Sequence, residues 1–374
     1  MTKRILIFTS MFLFAAGLFA QGQEDELRNK QSLKKTASGI PEGWTTGGNF
    51  GLNLDQLLVV QPRSGAGDNK LSFGGLGQLF GVYKNGRFVW DNNFKLQEGL
   101  QRIGKSQRGK PFEKTLDMLE FYTKPGYALT ADEKWYAAIN AGLQSQLLRT
   151  YPGNVLKDEF QSGVDSLGSP VYSKYDPISQ FFSPAQLVFE PGIEFKPNEK
   201  FSALLSPAAI RYLIVANDVI ADDFLVDANG AFLGSRHGNP MTATTDSNGA
   251  ITVNSYENGD FQLGAALRAL YKDKFLDGRV SFSTGAYAFY NYLGGKNGVK
   301  NLPIFEWTTS TGFEIWKGIG VAINTGLYYD YLKPVSADWD SNARAYQTSK
   351  RGAMFTEQIL LTYSKNFGAE RKKD

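Results

Sequence analysis

The sequence predicts an all-β chain: a transmembrane, antiparallel, up-and-down β-barrel of about 12 strands, with short periplasmic turns and long extracellular loops. Three observations predict it. Long segments alternate apolar and polar side chains with a period of two, as a strand with one greasy face requires. These segments are longer than ordinary strands, which average about 5–6 residues, and long enough for a tilted membrane strand, which needs roughly 9–11. Short and long connectors then alternate along the chain, with both ends on the short-turn side.

The chain opens with Lys3 and Arg4, then an apolar run from Ile5 to Leu18 and a small residue, Ala20, before Gln21. That order is expected of an export signal over 1–20. The run is short for a membrane-spanning helix, which takes roughly 20 apolar residues. Residues 21–43 begin polar, with Glu24, Asp25, Glu26, Lys34 and Lys35, and are expected to be a flexible periplasmic lead. The barrel is assigned to 44–368, and 369–374 to a periplasmic tail.

Strands are expected near 47–61, 70–84, 87–101, 114–129, 133–149, 178–196, 200–217, 260–274, 279–293, 302–316, 319–332 and 352–367. In the third, Phe88, Trp90, Phe94, Leu96 and Leu100 oppose Val89, Asp91, Asn93, Lys95 and Gln97. In the fifth, Trp135, Ala137, Ile139, Ala141 and Leu143 oppose Tyr136, Asn140, Gly142 and Gln144. The eighth sets Phe261, Leu263, Ala265 and Leu267 against Gln262, Gly264 and Arg268; the eleventh sets Ile319, Val321, Ile323 and Leu327 against Gly320, Asn324 and Gly326. Gly75 and Gly77 blur the second strand, and Pro207 with Ala208-Ala209 the seventh. Short turns fall at Lys84-Asn85-Gly86, Thr130-Ala131-Asp132, Pro197-Asn198-Glu199, Asp277-Gly278 and Lys317-Gly318, while the longest connectors are 150–177 and 218–259. Aromatic residues gather near strand ends, including Tyr83, Trp90, Tyr127, Trp135, Trp307, Trp316, Tyr329 and Tyr363. Such rings suit the headgroup boundary on each side of a bilayer. The last strand carries Phe355, Ile359, Leu361, Tyr363 and Phe367 on one face, resembling the aromatic-ended strand that outer-membrane assembly machinery reads.

Composition removes several function classes. In 374 residues there are 40 Lys+Arg against 37 Asp+Glu, no Cys and one His. The near-neutral balance gives no basic footprint for nucleic acid. Without Cys there is no disulfide, thiol nucleophile, zinc ribbon or lipidated N-terminal Cys, and one His rules out a two-histidine metal site. No cofactor is expected. Gly104-Lys105-Ser106-Gln107-Arg108-Gly109-Lys110 has phosphate-loop spacing, but Pro111 stands where Ser or Thr would hold magnesium. It reads as a basic outer loop. Asp227-Ala228-Asn229-Gly230 and Asp246-Ser247-Asn248-Gly249 lack the downstream Glu of a calcium loop and read as two hairpin turns.

A membrane sheet must close, because a backbone amide without a partner in hydrocarbon costs several kcal/mol. Twelve strands enclose a lumen between the filled eight-stranded and the open sixteen-stranded cases. Its expected lining is Asp91, Lys95, Glu120, Lys124, Glu190, Glu194, Arg211, Arg268, Glu306, Glu314 and Asp330, read first as a self-neutralising ionic wall and second as a selectivity constriction. The first functional expectation is a narrow channel or small-solute transport protein. The second is a non-conducting barrel whose long outer loops bind a partner or support envelope assembly. The third, an outer-membrane hydrolase built on His237, has no sequence partner for that histidine, so no enzyme activity is expected.

Phe88-Val89-Trp90-Asp91-Asn92 with Gly99-Leu100, Gln144-Ser145-Gln146 before Tyr151-Pro152-Gly153, and Ile178 to Pro207 with Ser183-Pro184, Gly192 and Lys196-Pro197 resemble an uncharacterised outer-membrane barrel family of the Bacteroidota, a domain of unknown function. The resemblance runs over roughly 44–220. An Asn-Trp pair usual in that family after the first-strand Gln is missing here, since Leu57-Leu58-Val59-Val60 follow Gln56. It implies the cell outer membrane and carries no activity or site residue. The partners expected are outer-membrane lipid, the assembly machinery and a small solute.

Overall fold

The computed structural model describes residues 40–57, 70–103, 112–164, 166, 169–294, 301–316, 319–333, 335–340 and 345–368. The expected export signal over 1–20, most of the expected lead, the 104–110 segment, the turn expected at 317–318 and the expected tail over 369–374 lie outside them.

Among the described residues, twenty strands and one short helix follow in order. They are β1 (Gly43–Leu57), β2 (Lys70–Asn85), β3 (Phe88–Ile103), β4 (Glu113–Ala128) and β5 (Trp135–Ser145). Next come β6 (Glu159–Val164), β7 (Pro170–Lys174), β8 (Ala185–Phe195), β9 (Phe201–Ile214) and α1 (Asp218–Ala221). The outer hairpins β10 (Phe224–Val226), β11 (Phe232–Ser235), β12 (Met241–Thr245) and β13 (Ile251–Tyr256) precede β14 (Gly259–Phe275) and β15 (Val280–Asn291). The chain ends with β16 (Ile304–Trp316), β17 (Ile319–Tyr329), β18 (Val335–Asp340), β19 (Ala345–Lys350) and β20 (Met354–Gly368).

Twelve of these strands close into one barrel in the order β1-β2-β3-β4-β5-β8-β9-β14-β15-β16-β17-β20. Every neighbour is antiparallel, and β20 returns to β1 through pairs from Gly47↔Gly368 to Asn53↔Thr362. Closure removes the sheet edge, which is what hydrocarbon demands of a β structure. The barrel strands run from 11 to 17 residues. At about 3.3 Å per residue and a tilt near 40°, even the shortest crosses an apolar band of roughly 25 Å.

Sidedness follows the pleat. On β5, Trp135 and Ile139 are exposed while Tyr136, Ala138 and Asn140 are buried. On β14, Phe261 and Leu267 are exposed while Asp260, Gln262 and Arg268 are buried. A soluble domain inverts this arrangement. Here Phe50, Phe94, Phe121, Leu205, Phe305, Ile359 and Leu361 face outward and charged groups face inward, so the barrel is a transmembrane one. Outward polar groups are tied to the wall. The Trp90 indole donates to Thr123 Oγ1 at 2.7 Å and that of Trp307 to Thr284 Oγ1 at 2.9 Å. Trp44 lies 5.4 Å from Tyr83 and 5.8 Å from Trp90, part of an aromatic girdle at the short-turn end.

Strand ends depart from the periodicity for local reasons. β5 stops at Ser145, short of the expected 149, because Asp117 accepts from the amides of Leu147 at 2.7 Å and Leu148 at 2.9 Å and turns the chain away. β8 starts at Ala185, not 178. The alternation over Ile178–Ser183 belongs to a loop in which the Thr150 and Ser179 hydroxyls are 2.5 Å apart and Ser183 Oγ accepts from Asn217 N at 2.9 Å. Pro184, with no amide to donate, cannot extend the ladder. In β9, Pro207 and Ala208 fall in a register shift against both neighbours, which explains the blurred alternation there.

The outer connectors fold into small hairpins, β6–β7, β10–β11, β12–β13 and β18–β19. The two Asp-x-Asn-Gly segments turn β10 into β11 and β12 into β13 as expected. In each, one Asp oxygen closes the turn: Asp227 Oδ1 accepts from Asn229 and Ala231, and Asp246 Oδ1 from Asn248 and Ala250. The hairpins β6–β7 and β18–β19 were not expected from the sequence.

Candidate functional site

The inward faces of the barrel strands bring charged residues together in three layers. Near the periplasmic end, Lys124 Nζ on β4 lies 2.5 Å from Glu194 on β8, and Lys196 lies 3.1 Å from the same carboxylate. The Lys196 ammonium also sits over the Tyr136 ring at 5.2 Å. At mid-height Arg268 on β14 reaches past β9 and grips Glu190 on β8 with two bonds, Nε to Oε2 at 2.6 Å and Nη2 to Oε1 at 2.8 Å. Asn140 of β5 donates to the same carboxylate at 2.7 Å. The Arg268 guanidinium lies 4.1 Å from the Tyr287 ring centre, stacking on β15 as well. Near the extracellular end Arg211 on β9 crosses the lumen to Asp330, just past β17, at 3.1 Å, and also donates to Gln186 and Gln262. Tyr328 donates to Asp330 at 3.0 Å.

Burial makes these pairings necessary. Glu190 is 1% exposed, and an ionised carboxylate survives such a site only with donors and a counter-charge. A bidentate guanidinium fits that need better than a lysine would.

The sequence-derived lining residues fall as follows. Lys124 and Glu194 meet each other, Glu190 meets Arg268, and Arg211 meets Asp330. Lys95 and Glu120, both buried, stand opposite each other on β3 and β4. Asp91 borders the periplasmic cavity. Glu306 sits between Tyr287 and Tyr328 in register. Glu314 keeps the inward parity of Glu306 but lies at the periplasmic end of β16, beside the register shift before Trp316, where its side chain is exposed. Residues outside the expected lining complete the layers: Gln186, Lys196, Asp260 and Tyr287, together with Tyr136, Asn140 and Gln262, which the sequence places on the polar face. Most of them share the inward parity, so that parity, applied to amides and phenols as well as charges, finds them.

Two cavities lie against the same wall, one above the other. The outer one is bordered by Met118 of β4, Gln144 of β5, Gln186 of β8, Leu213 of β9 and Lys333. The inner one is bordered by Val89, Asp91, Lys124, Tyr136, Glu194 and Lys196. The Glu190–Arg268–Asn140 layer lies between their heights. The opposite wall is packed by Ala266, Tyr287, Phe289, Ile304, Tyr328, Tyr331 and Leu332.

His237 is placed in the outer cap. Its Nε2 donates to the Ile178 carbonyl at 2.8 Å, joining two outer loops. Burial, with the cations Arg236, Lys333 and Lys114 adding to it, pushes the imidazole down to about 3. No carboxylate hydrogen-bonds it among the described residues. A general base needs a pKa near the working pH, and the buried ring lies well below it. The described residues hold no cluster of three or more metal-ligating side chains.

A family profile described as "Protein of unknown function (DUF3078)" matches residues 59–151, less than half of the chain. No curated protein matches. Among solved structures, an outer-membrane channel from Pseudomonas putida F1 is 12% identical over 88% of this chain and 97% of its own, with a TM-score of 0.35. The P. putida toluene transporter TodX is 11% identical over 91% and 94%, with a TM-score of 0.33. The translocator domain of the Neisseria meningitidis autotransporter NalP is 7% identical over 87% and 90%, with a TM-score of 0.30. Likenesses this distant decide nothing about the present chain, whose barrel rests on its own strand pairing.

Proposed function

We propose that this chain is an outer-membrane channel for small solutes, closed at mid-height by the Glu190–Arg268 pair. One observation carries the reading: two cavities stand in line along β4, β5 and β8, and the layer between their heights is polar and ionic, not a dry apolar core. An ion pair can part and admit water, whereas a packed aliphatic layer holds water out. We further infer that residues 1–20 export the chain, that it resides in the outer membrane and that it belongs to the Bacteroidota family it resembles. The outer-membrane assembly machinery would insert it.

The test is recording in planar bilayers. The wild-type barrel is expected to show rare, small conductance steps. The doubly neutral variant Arg268→Gln with Glu190→Gln is expected to open more often and pass more current. Silence from both proteins across several salts and pH values removes the channel.

A second reading, a non-conducting barrel whose outer loops serve a partner, is favoured by the order of the cap. Arg236 pairs with Asp223 at 2.5 Å, and Arg351 donates to the carbonyls of Tyr331 and Leu233. Asn239 donates to the Ala221 and Glu257 carbonyls, each at 2.9 Å. On this reading a protein copurifies with the intact chain and is released when 218–259 is deleted.

A further inference from the structure

The lead into the barrel ends in the polar string Lys34-Lys35-Thr36-Ala37-Ser38-Gly39, then a single branched aliphatic, Ile40, before Pro41 and Glu42. Ile40 precedes β1, yet it is only 7% exposed. It packs with Val82, Val89, Ala128 and Tyr136, which are inward-facing residues at the periplasmic ends of β2, β3, β4 and β5. The chain therefore seats Ile40 in the periplasmic mouth just before it enters β1. Glu42 fixes the bend. Its Oε2 accepts from the Gly86 amide at 3.0 Å, and its other oxygen lies 3.9 Å from Lys84 Nζ. Gly86 turns β2 into β3 with φ of +55°, and the acceptor for its amide is Glu42. Immediately behind Ile40 lies the inner cavity with Asp91, Lys124, Glu194 and Lys196.

We propose that Ile40 is a tethered stopper for the periplasmic mouth, and that Glu42 is its clasp. The stopper is apolar and small. Burying one Ile side chain favours the seated state enough to hold the mouth shut most of the time, and a single side chain is weak enough to release. The charged cavity behind it is hydrated when the stopper leaves and sealed when it seats. This inference goes beyond the conduction reading and does not depend on it: a mouth can be stoppered whether or not the middle layer ever opens.

The cysteine-free chain gives a direct test. Val89→Cys places a thiol behind Ile40, and Arg87→Cys places one on the exposed turn beside it. Both are reacted, in detergent micelles, with a charged, water-soluble maleimide. With Ile40 present, the thiol at 89 is expected to react far more slowly than the one at 87. Adding Ile40→Asp is expected to speed reaction at 89 roughly tenfold, because access then no longer waits on a local opening. Glu42→Ala is expected to give a smaller rise, and neither change to affect position 87. Heat-dependent gel mobility verifies that each barrel is folded, and Ile40→Ala is read in place of Ile40→Asp if the charged variant does not fold. Equal rates at 89 with and without Ile40 overturn the stopper. Faster labelling from a barrel that never conducts keeps the stopper and removes only the channel.

Discussion

Arg268 and Glu190 lie on strands separated by β9 and meet inside the barrel through two hydrogen bonds of 2.6 and 2.8 Å. Both side chains are under one-tenth exposed, and Asn140 and Tyr287 complete the layer around them. The pair ties β8 to β14 from within, independently of the hydrogen-bond ladder that runs through β9.

Breaking this pair one-sidedly is expected to destabilise the barrel. Arg268→Met leaves Glu190 with the Asn140 amide alone, and stranding a buried charge in this way costs about 3–5 kcal/mol. Adding Glu190→Leu removes the stranded carboxylate, so the double variant is expected to regain most of the loss. Urea unfolding in detergent measures both. A double variant no more stable than Arg268→Met would show that the carboxylate does not need the arginine.

The wall is tightest at two glycines. A Cβ at Gly192 would sit on the Leu205 carbonyl oxygen, and one at Gly264 on that of Tyr290. In both cases the obstacle is backbone and cannot swing aside. Gly192→Ala and Gly264→Ala are expected to abolish the folded form on heat-dependent gels. Gly77→Ala, where nothing lies within 4 Å of the new methyl, is expected to fold like the parent. Normal folding of the first two would show that the strands can part there without penalty.

The outer cap is expected to loosen in acid through His237. Its folded pKa, about 3, lies below its ordinary value of 6.5, so the unfolded loop binds a proton that the folded one refuses. Cap stability from this residue is fully present above about pH 6.5. It falls as pH drops toward 3, with a slope near 1.4 kcal/mol per unit. Hydrogen exchange around Ile178 and His237 between pH 8 and pH 4 reads this out. His237→Gln retains an amide donor for the Ile178 carbonyl without the titration, and is expected to flatten the response. An unchanged acid response in that variant would assign the effect to another group.

The barrel was legible because a strand in a membrane reports its face at every second residue. Phe88 to Leu100 and Phe261 to Tyr271 could be read directly, as could the two Asp-x-Asn-Gly turns. Three things were not legible, each for a physical reason. Periodicity continues through Ile178–Ser183, where isolated backbone bridges and loop hydroxyls rather than a ladder hold the chain. Inward parity identifies Arg211, Arg268, Glu190 and Asp330, but the choice of partner depends on equal height across a tilted, staggered barrel, which one strand at a time does not encode. Ile40, a lone apolar residue between Gly39 and Pro41, carries no period at all; only its burial among Val82, Val89 and Tyr136 marks it.

The central claim is that the apolar outer face meets lipid tails. Spin labels introduced one at a time at Phe94, Leu205, Leu267 and Leu361, and at the inward Asn140 and Gln262, test it in reconstituted bilayers. The outward set is expected to collide often with dissolved oxygen and seldom with a water-soluble nickel chelate, and the inward set to collide little with oxygen. Outward labels that meet the chelate as freely as loop labels at Asn248, in a protein that stays monodisperse without detergent, would contradict the account.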